Sequence, residues 1–194
     1  TGGTAGNVTI DNGTTALDLA ASTISGTLSA TGGASAGIVD SGNVVVAGNV
    51  TLTTDAGNGV INMGTLRQSA GDLILVTNGS GSATVVNNAA IDFGTSNVGG
   101  NLSATASAGT ITQAGGTLTV AGTSAFTTST NDQAITLGNT SNAFTGTVAF
   151  TTGGTTGNVT IDNGTTALDF AASTINGTLS ATGGASAGIV DSGN

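Results

Sequence analysis

TGGTAGNVTIDNGTTALDLAASTISGTLSATGGASAGIVDSGN, residues 1–43, recurs almost unchanged at residues 152–194. The two copies differ only where Ala5, Leu19 and Ser25 of the first are replaced by Thr156, Phe170 and Asn176 of the second. The offset is 151 residues, so residues 1–151 form one full unit and residues 152–194 begin the next. This period predicts a tandem array within a longer polypeptide, organised as one continuous rod without separate domains.

A shorter pattern of Gly, polar, apolar, polar, apolar recurs inside the unit. It reads GNVTI at residue 6, GTLSA at 26, GNVTL at 48, GDLIL at 71, GNLSA at 100, GTSAF at 122 and GTVAF at 146. Alternation of period two, bounded by Gly, Asn and Ser, predicts short half-buried strands. The abundance of Gly, Thr, Asn and Ser disfavours helix.

The spacing of these segments predicts an all-β parallel β-helix, or β-solenoid, with coils of about 20–24 residues. A β-sandwich or an up-and-down barrel would also contain short alternating strands, but the coil-length step favours the solenoid. Asn-Gly pairs that begin at residues 12, 58, 78, 163 and 176 are expected to supply left-handed backbone at the bends. At a strand spacing of about 4.8 Å, a unit of about seven coils advances roughly 34 Å.

The alternation also predicts which side chains face the interior of the coils. The predicted structural core is Val8, Ile10, Leu17, Leu19, Val50, Leu52, Leu73, Leu75, Leu102, Ile111, Leu118, Val120, Ile135, Leu137, Val148 and Phe150. We expect most of the five Phe side chains to point inward as well. The replacement of Leu19 by Phe170 is natural in a core.

Charge and composition limit the partners of this chain. It has ten acidic residues, all Asp, one cation, Arg67, and a net charge of −9. Nucleic-acid binding and attraction to anionic membranes both depend on Lys and Arg. The longest apolar runs are far shorter than the roughly 20 residues of a membrane span. We therefore expect no nucleic-acid partner and no membrane insertion.

The same composition leaves little for catalysis. The chain has no His, Cys, Lys, Tyr or Glu, so Asp alone is available for general acid–base chemistry. Asp11 and Asp18 recur as Asp162 and Asp169, which is typical of a repeated surface feature rather than a unique active site. We expect no enzyme activity, no catalytic residue and no cofactor.

Calcium stays open as an alternative ligand, because carboxylate and amide oxygens are abundant. The best local groupings are Asp55 with Asn58 and Asn131 with Asp132. The competing interpretation is that these side chains cap turns by accepting hydrogen bonds from nearby backbone.

The stretches GGNLSATASAGTITQAGGTLTVAGTSAFTT, residues 99–128, and AITLGNTSNAFTGTVAF, residues 134–150, resemble repeats of filamentous-haemagglutinin-like exoproteins. These are very large bacterial surface or secreted adhesins. The resemblance implies a right-handed parallel β-helix, an extracellular or cell-surface location and a role in adhesion, aggregation or biofilm. It transfers no binding residue, because such repeats are scaffold.

The sequence hypothesis is therefore a structural repeat segment, the stalk or filament body of a giant extracellular bacterial surface or matrix protein. Its expected partners are further copies of the repeat, in tandem or by self-association into filaments. One alternative is an adhesive module whose exposed Thr, Asn and Ser side chains bind host or cell-surface glycans. Another is an ice-binding solenoid that uses pairs such as Thr51 and Thr53, although neighbouring coils do not repeat the pair.

Overall fold

The structure, a computed structural model, describes residues 6–33, 35–55, 57–113, 115–184 and 188–193. Ala5, one of the three positions at which the two copies differ, lies outside the described residues. Among the described residues there is no helix of the length and hydropathy needed to cross a membrane.

The described part of the chain forms 23 β-strands and no helix. In chain order the strands are β1 (Val8–Asp11), β2 (Leu17–Leu19), β3 (Ser22–Ile24), β4 (Leu28–Gly32), β5 (Ile38–Asp40), β6 (Val44–Val46), β7 (Val50–Thr54), β8 (Ile61–Gln68), β9 (Leu73–Val76), β10 (Ala83–Asn87), β11 (Ile91–Asp92), β12 (Ser96–Val98), β13 (Leu102–Ala106), β14 (Ile111–Thr112), β15 (Leu118–Val120), β16 (Ser124–Asn131), β17 (Ile135–Leu137), β18 (Ala143–Phe144), β19 (Val148–Gly153), β20 (Val159–Asp162), β21 (Leu168–Ala171), β22 (Leu179–Thr182) and β23 (Ile189–Gly193).

These strands pair in parallel and form three sheets. The first sheet has the order β1-β4-β7-β9-β12-β15-β18, and the third has the order β11-β14-β17-β20-β22. The second sheet has the order β2-β5-β8-β10-β13-β16-β19-β21-β23, with β3 and β6 at its side. Neighbours in a sheet come from successive coils, so the chain is a parallel β-solenoid of about eight coils. The predicted all-β solenoid is confirmed.

The register between coils sets the coil length. Inward positions that pair across coils are 20 to 24 residues apart, and they are Val8 with Leu28, Leu28 with Val50, Val50 with Leu73, Ile91 with Ile111, Ile111 with Ile135, Ile135 with Val159, and Val159 with Leu179. A single bridge between Leu73 and Phe93 connects the first and third sheets. Seven successive pairings, including this bridge, therefore lead from β1 to β20. The two strands have the same sequence, VTID. Seven coils make one 151-residue unit.

Strand β9 is the place where the cross-section of the solenoid changes. In the next coil Phe93, directly after β11, pairs with Leu73, while Asn97 of β12 pairs with Val76. One strand is thus followed by two shorter strands with a bend between them. The third sheet begins at this bend.

The interior is a continuous apolar core along the rod. Of the predicted inward residues, all but two are buried: Leu17, Leu19, Val50, Leu52, Leu73, Leu75, Leu102, Ile111, Leu118, Val120, Ile135, Leu137, Val148 and Phe150. Val8 and Ile10 are half-buried against the same core. Full burial of such a side chain contributes about 1.5–3 kcal/mol, and stacking supplies the neighbour that a single coil lacks.

Phe side chains form a column in the second half of the core. Phe93, Phe126, Phe144 and Phe150 are fully buried, and Phe170 is half-buried. The rings of Phe126 and Phe150 stack with centroids 5.9 Å apart and an interplanar angle of 21°. Phe126 also meets Phe93 edge-on, with centroids 6.2 Å apart. These contacts add to area burial, because aromatic pairs at such distances attract one another.

Ser124 is one of the polar residues buried in this interior. It lies inward on β16 between Leu102 of the preceding coil and Val148 of the next. Its Oγ is the one buried side-chain polar atom without a hydrogen-bond partner in the described part of the chain. A buried hydroxyl in this state carries its full desolvation penalty.

Replacement of Ser124 by Ala should therefore stabilise the protein by about 1 kcal/mol, because it removes the unpaired hydroxyl. Urea denaturation followed by circular dichroism measures the free energy of unfolding. Ser103→Ala on the outward side of β13 is the matched control and should have almost no effect. A loss of stability in Ser124→Ala would mean that the hydroxyl has a partner in solution.

Candidate functional site

Buried Asn side chains hold the corners of the solenoid. Asn163 Oδ1 accepts a hydrogen bond from the Phe144 N–H at 2.7 Å, and its Nδ2 donates to the Phe144 carbonyl at 3.0 Å. Asn87 makes the same reciprocal pair with the backbone of Gln68, at 2.8 and 3.0 Å. In each case the side-chain amide takes the place of a backbone hydrogen-bond partner for a residue of the preceding coil, at a point where the backbone of the Asn coil no longer runs alongside it. Buried backbone groups need such partners.

Thr hydroxyls close a second kind of corner at the ends of long strands. Thr54 Oγ1 donates to the Gly59 carbonyl at 2.9 Å and accepts from the Asn78 N–H of the next coil at 3.1 Å. Thr77 Oγ1 donates to Gly81 and accepts from the Gly99 N–H in the same way, and Thr152 repeats the geometry with Gly157 and Asn176. Each hydroxyl joins its own turn to the coil above it.

The recurring Gly-Asn dipeptide connects the coil that contains it to the following one. Asn49 Oδ1 accepts from the Asp72 N–H at 3.1 Å, and Asn101 Oδ1 accepts from the Thr123 N–H at 2.9 Å. Asn7 and Asn158 make the equivalent bonds to Thr27 and Thr178.

This contact also explains why the next coil begins its strand with Gly. A Cβ at Gly71 would collide with Asn49 Oδ1, and a Cβ at Gly122 would collide with Asn101 Oδ1. The Gly-polar-apolar pattern of the sequence is therefore a close contact between coils rather than a ligand motif.

The Asp carboxylates cap backbone N–H groups in the same manner. Asp18 accepts from the Ser41 N–H, and its equivalent Asp169 accepts from the Ser192 N–H, both at 3.0 Å. Asp40 accepts from both the Gly64 N–H and the Thr65 N–H at 2.8 Å. The repeated acids thus make repeated bonds to the next coil.

Asp132 is a further cap of this kind. Its Oδ1 accepts hydrogen bonds from the N–H groups of Thr155 and Thr156, both at 2.8 Å. The Thr155 bond and then the Thr156 bonds hold the pKa of Asp132 below its ordinary value of 3.8, since they favour the charged form. The residue also has a left-handed backbone, with φ of 62°.

Of the four residues proposed as calcium ligands, Asn58 and Asp132 lie in turns, Asp55 follows β7, and Asn131 is the last residue of β16. Asn58 Oδ1 accepts from the Ser80 N–H at 2.9 Å, and Asn58 has a φ of 58°. The Asn131 carbonyl accepts from Gln133 Nε2, and Asp132 caps the next coil as described. Asp55 is exposed, with its N–H donating to the Gly32 carbonyl at 3.4 Å. Asn58 Oδ1 and Asp132 Oδ1 thus accept backbone hydrogen bonds from the next coil, and not from the nearby backbone that the turn-capping interpretation expected.

The acids are spread along the rod. No group of three or more His, Cys, Asp or Glu side chains that could hold a metal comes together in the described ranges. Arg67 is exposed on β8, beside a shallow groove that Thr65 and Asn88 also line. The polar groups of the solenoid are arranged to connect one coil to another.

The outward Thr pairs do not form a long regular array. Thr51 pairs with Ser29 below and Ile74 above, while Thr53 pairs with Thr31 below and Val76 above. The column of hydroxyl-bearing residues therefore ends at β9. This interruption weighs against the ice-binding alternative.

A family model described as "Repeats of unknown function (DUF5649)" matches the chain twice, over residues 5–76 and 79–151. The chain belongs to this family. A search of curated proteins and a search of solved structures found no match. One 151-residue unit thus contains two family repeats, and the chain is a repeat protein with a solenoid fold.

Successive family repeats occupy the solenoid differently. GTLSATG at residues 26–32 corresponds to GNLSATA at residues 100–106, but β4 of the former lies in the first sheet and β13 of the latter in the second. After 151 residues, by contrast, IVD of β5 and IVD of β23 lie in the same sheet. Other strands 151 residues apart lie in different sheets, since VTID is in the first sheet in β1 and in the third sheet in β20. Sequence similarity between repeats therefore does not fix the sheet that a strand joins.

The sequence analysis missed the buried polar corners. Asn12 and Asn163 were assigned to Asn-Gly turns, and Gly13 and Gly164 do have left-handed backbone, each with φ of 56°. The inward amide of Asn163 was not predicted, nor was that of Asn87, which no Gly follows. The likeness of VVNNAAIDF, residues 85–93, to IDNGTTALDF, residues 161–170, is the signal that could have found them, because each stretch has Asn at its third position.

Asn163→Ala should destabilise the protein by about 2–4 kcal/mol, because it leaves the buried N–H and carbonyl of Phe144 without partners. Asn12→Ala is the matched control, since Asn12 is exposed and its side chain bonds only to the Ala16 carbonyl among the described residues. It should cost less than about 1 kcal/mol. Equal losses in urea denaturation would contradict the assigned role of the Asn163 amide.

Asp132→Asn should flatten the acid limb of the stability curve. Because the folded-state pKa of Asp132 lies below 3.8, its stabilisation is complete above that pH and is lost as the pH falls through the folded value. Thermal melts between about pH 5 and pH 2 measure the loss. Asn tolerates the left-handed backbone. The control is Asp191→Asn, because no described residue donates a hydrogen bond to the Asp191 carboxylate. If the Tm of Asp132→Asn falls with decreasing pH as steeply as the Tm of the wild-type chain, the proposed cap is contradicted.

Proposed function

We propose that this chain is a rigid structural segment of a large extracellular bacterial surface or matrix protein. In this role it forms part of a stalk or filament body that sets reach in adhesion, aggregation or biofilm formation. The role is non-catalytic. The observation that carries it is that side-chain polar groups of the repeat are used between coils: Asn, Thr and Asp join each coil to the next one.

Rigidity follows from two continuous networks. Parallel backbone ladders run along the second sheet from β2 to β23. Inside them, the apolar column has few interruptions, and Phe126 contacts Phe rings on both sides of its coil. Load applied along the axis is then shared by several hydrogen bonds and a packed core at every coil.

Repetition supports the proposed role as a spacer. The second copy continues the first without a linker, since β20 pairs directly with β17 and β21 pairs with β19. Added units would then lengthen the rod without changing its cross-section. The extracellular setting is supported by the resemblance of residues 99–128 and 134–150 to adhesin repeats.

Chains with one, two and three extra 151-residue units should grow by about 34 Å in maximum dimension per unit, at about 4.8 Å for each of seven coils. Small-angle X-ray scattering of the purified chains measures this increment, and the radius of gyration of the cross-section should stay constant. A compact particle, or a growth curve that flattens with unit number, would contradict the rod.

The surface role is tested separately on the source cells. Antibodies against the repeat should label intact cells, and removal of the repeat units should reduce attachment or aggregation while the remaining protein is still displayed. Attachment that is unchanged by repeat number, together with binding of the isolated repeat on a glycan array, would favour the ligand-binding alternative.

A further inference from the structure

The chain contains five Asn-Gly pairs, which begin at residues 12, 58, 78, 163 and 176. Asn is a chemically labile residue. In an Asn-Gly pair the backbone nitrogen of the Gly can attack the amide carbon of the Asn, because Gly has a permissive backbone and no Cβ to block the approach. The reaction requires an Asn side chain and a Gly N–H that are free to move together. The hydrogen bonds of the solenoid decide which pair meets this condition.

Three of the pairs hold the side-chain amide nitrogen of Asn in a hydrogen bond to a backbone carbonyl. The donors and acceptors are Asn12 with Ala16, Asn163 with Ala167 and Asn176 with Thr152. In two of these pairs the Gly N–H is also engaged, since Gly13 donates to Asp11 and Gly164 donates to Asp162. These pairs are held apart from the geometry of attack.

Asn58 is held by the coil above it. Its Oδ1 accepts a hydrogen bond from the Ser80 N–H at 2.9 Å, and a Cβ at Gly79 would collide with this oxygen. Gly59, which carries the attacking nitrogen of this pair, is buried. The Asn58 side chain must therefore give up a contact between coils before the Gly59 nitrogen can reach its amide carbon.

Asn78 differs from the other four. Asn78, Gly79 and Ser80 are all exposed. Within the described ranges, neither the Asn78 side chain nor the Gly79 N–H makes a hydrogen bond. The turn is fixed on either side of this pair, because the Asn78 N–H donates to Thr54 Oγ1 at 3.1 Å and the Gly81 N–H donates to the Asn78 carbonyl at 3.0 Å. The two reacting groups thus lie in an anchored turn but are themselves unrestrained.

We propose that Asn78 is a self-modification site, at which the folded chain converts Asn into isoaspartate and Asp without an enzyme. The Gly79 nitrogen attacks Asn78 Cγ, and a cyclic imide forms as the side-chain nitrogen leaves as ammonia with the proton of the Gly79 N–H. Water then opens the ring. Opening at Cγ gives Asp, and opening at the backbone carbonyl gives isoaspartate, in which the main chain runs through Cγ. The inference concerns the chain itself and does not depend on the proposed function.

The modification falls where three successive coils touch. Gly79 lies on Asn58 of the coil below, and a Cβ at Gly99 of the coil above would collide with the Gly79 carbonyl. Isoaspartate adds one methylene to the backbone directly before Gly79, so it displaces Gly79 from both contacts. The change also lies beside the corner that Thr77 Oγ1 closes through its bonds to Gly81 and Gly99. The modified rod is therefore weakened at this corner.

Timed incubation of the folded full chain in mildly alkaline buffer tests the site. Each event raises the mass by about 1 Da, because an NH2 group is replaced by an OH group. Cleavage before Asp72 and Asp92 separates Asn78 from Asn58, and electron-transfer fragmentation distinguishes isoaspartate from Asp. Asn78 should be modified about tenfold faster than Asn58, whose hydrogen bond must first break.

The unfolded chain and Asn78→Gln are the controls. In guanidinium chloride both pairs are free, so Asn58 and Asn78 should react at similar rates. Asn78→Gln should remove the modification at this position and leave the fold unchanged, since the side chain is exposed. Equal rates at Asn58 and Asn78 in the folded chain would overturn the proposal. So would a folded chain that stays unmodified while the unfolded chain reacts.

The weakening of the corner is measured on the isoaspartate form, enriched from the incubated chain by anion exchange. Asn78→Asp is the matched comparison, because it carries the new charge without the extra methylene. In melts followed by circular dichroism, Asn78→Asp should match the wild-type chain and the isoaspartate form should have a lower Tm. The same Tm in the isoaspartate form and in Asn78→Asp would refute the weakening.

Discussion

Parallel hydrogen bonding between successive coils is the constraint on which the rest of this structure depends. A coil of 20 to 24 residues cannot bury its own apolar face, so it is stable only when the coils above and below match its strands. The match requires each inward side chain to pair with an inward side chain of the next coil, as Ile111 pairs with Ile135 and Ile135 pairs with Val159. It also requires every corner to close without leaving buried N–H or carbonyl groups unpaired. Coil length, strand position and corner chemistry all follow from this requirement.

The corners show how the requirement is met where the backbone itself cannot pair. Asn163 and Asn87 substitute a side-chain amide for a strand neighbour, and Thr54 and Thr77 use one hydroxyl to join two coils. Each such group is costly to bury alone and stabilising once satisfied. This is why a chain with few charges still has many indispensable polar side chains. These polar groups make hydrogen bonds within the solenoid, which accords with a structural role.

The duplicated stretch shows how the same sequence is buried to different extents in different coils. The inward Val and Ile of identical VTID strands are half-buried in β1 and almost fully buried in β20, because among the described residues only β20 has a coil beneath it. The family repeat adds a further lesson, since LSAT lies in the first sheet in β4 and in the second sheet in β13. A single family repeat therefore does not fix the face that a strand occupies. The strands of the neighbouring coils with which it pairs decide it.

Period-two alternation and the coil-length step determined the strands, their inward residues and the parallel solenoid, because both signals are local and recur in every coil. Leu73, Ile135 and Val148 could be placed inside from their neighbours alone. The burial of Asn87 and Asn163 could not, since Asn also marks exposed turns and only the coil beneath decides between the two. The pairing of β9 with two shorter strands of the next coil, β11 and β12, likewise depends on the register of Leu73 with Phe93. Contacts between residues about twenty positions apart decided these features, and no local pattern encodes them.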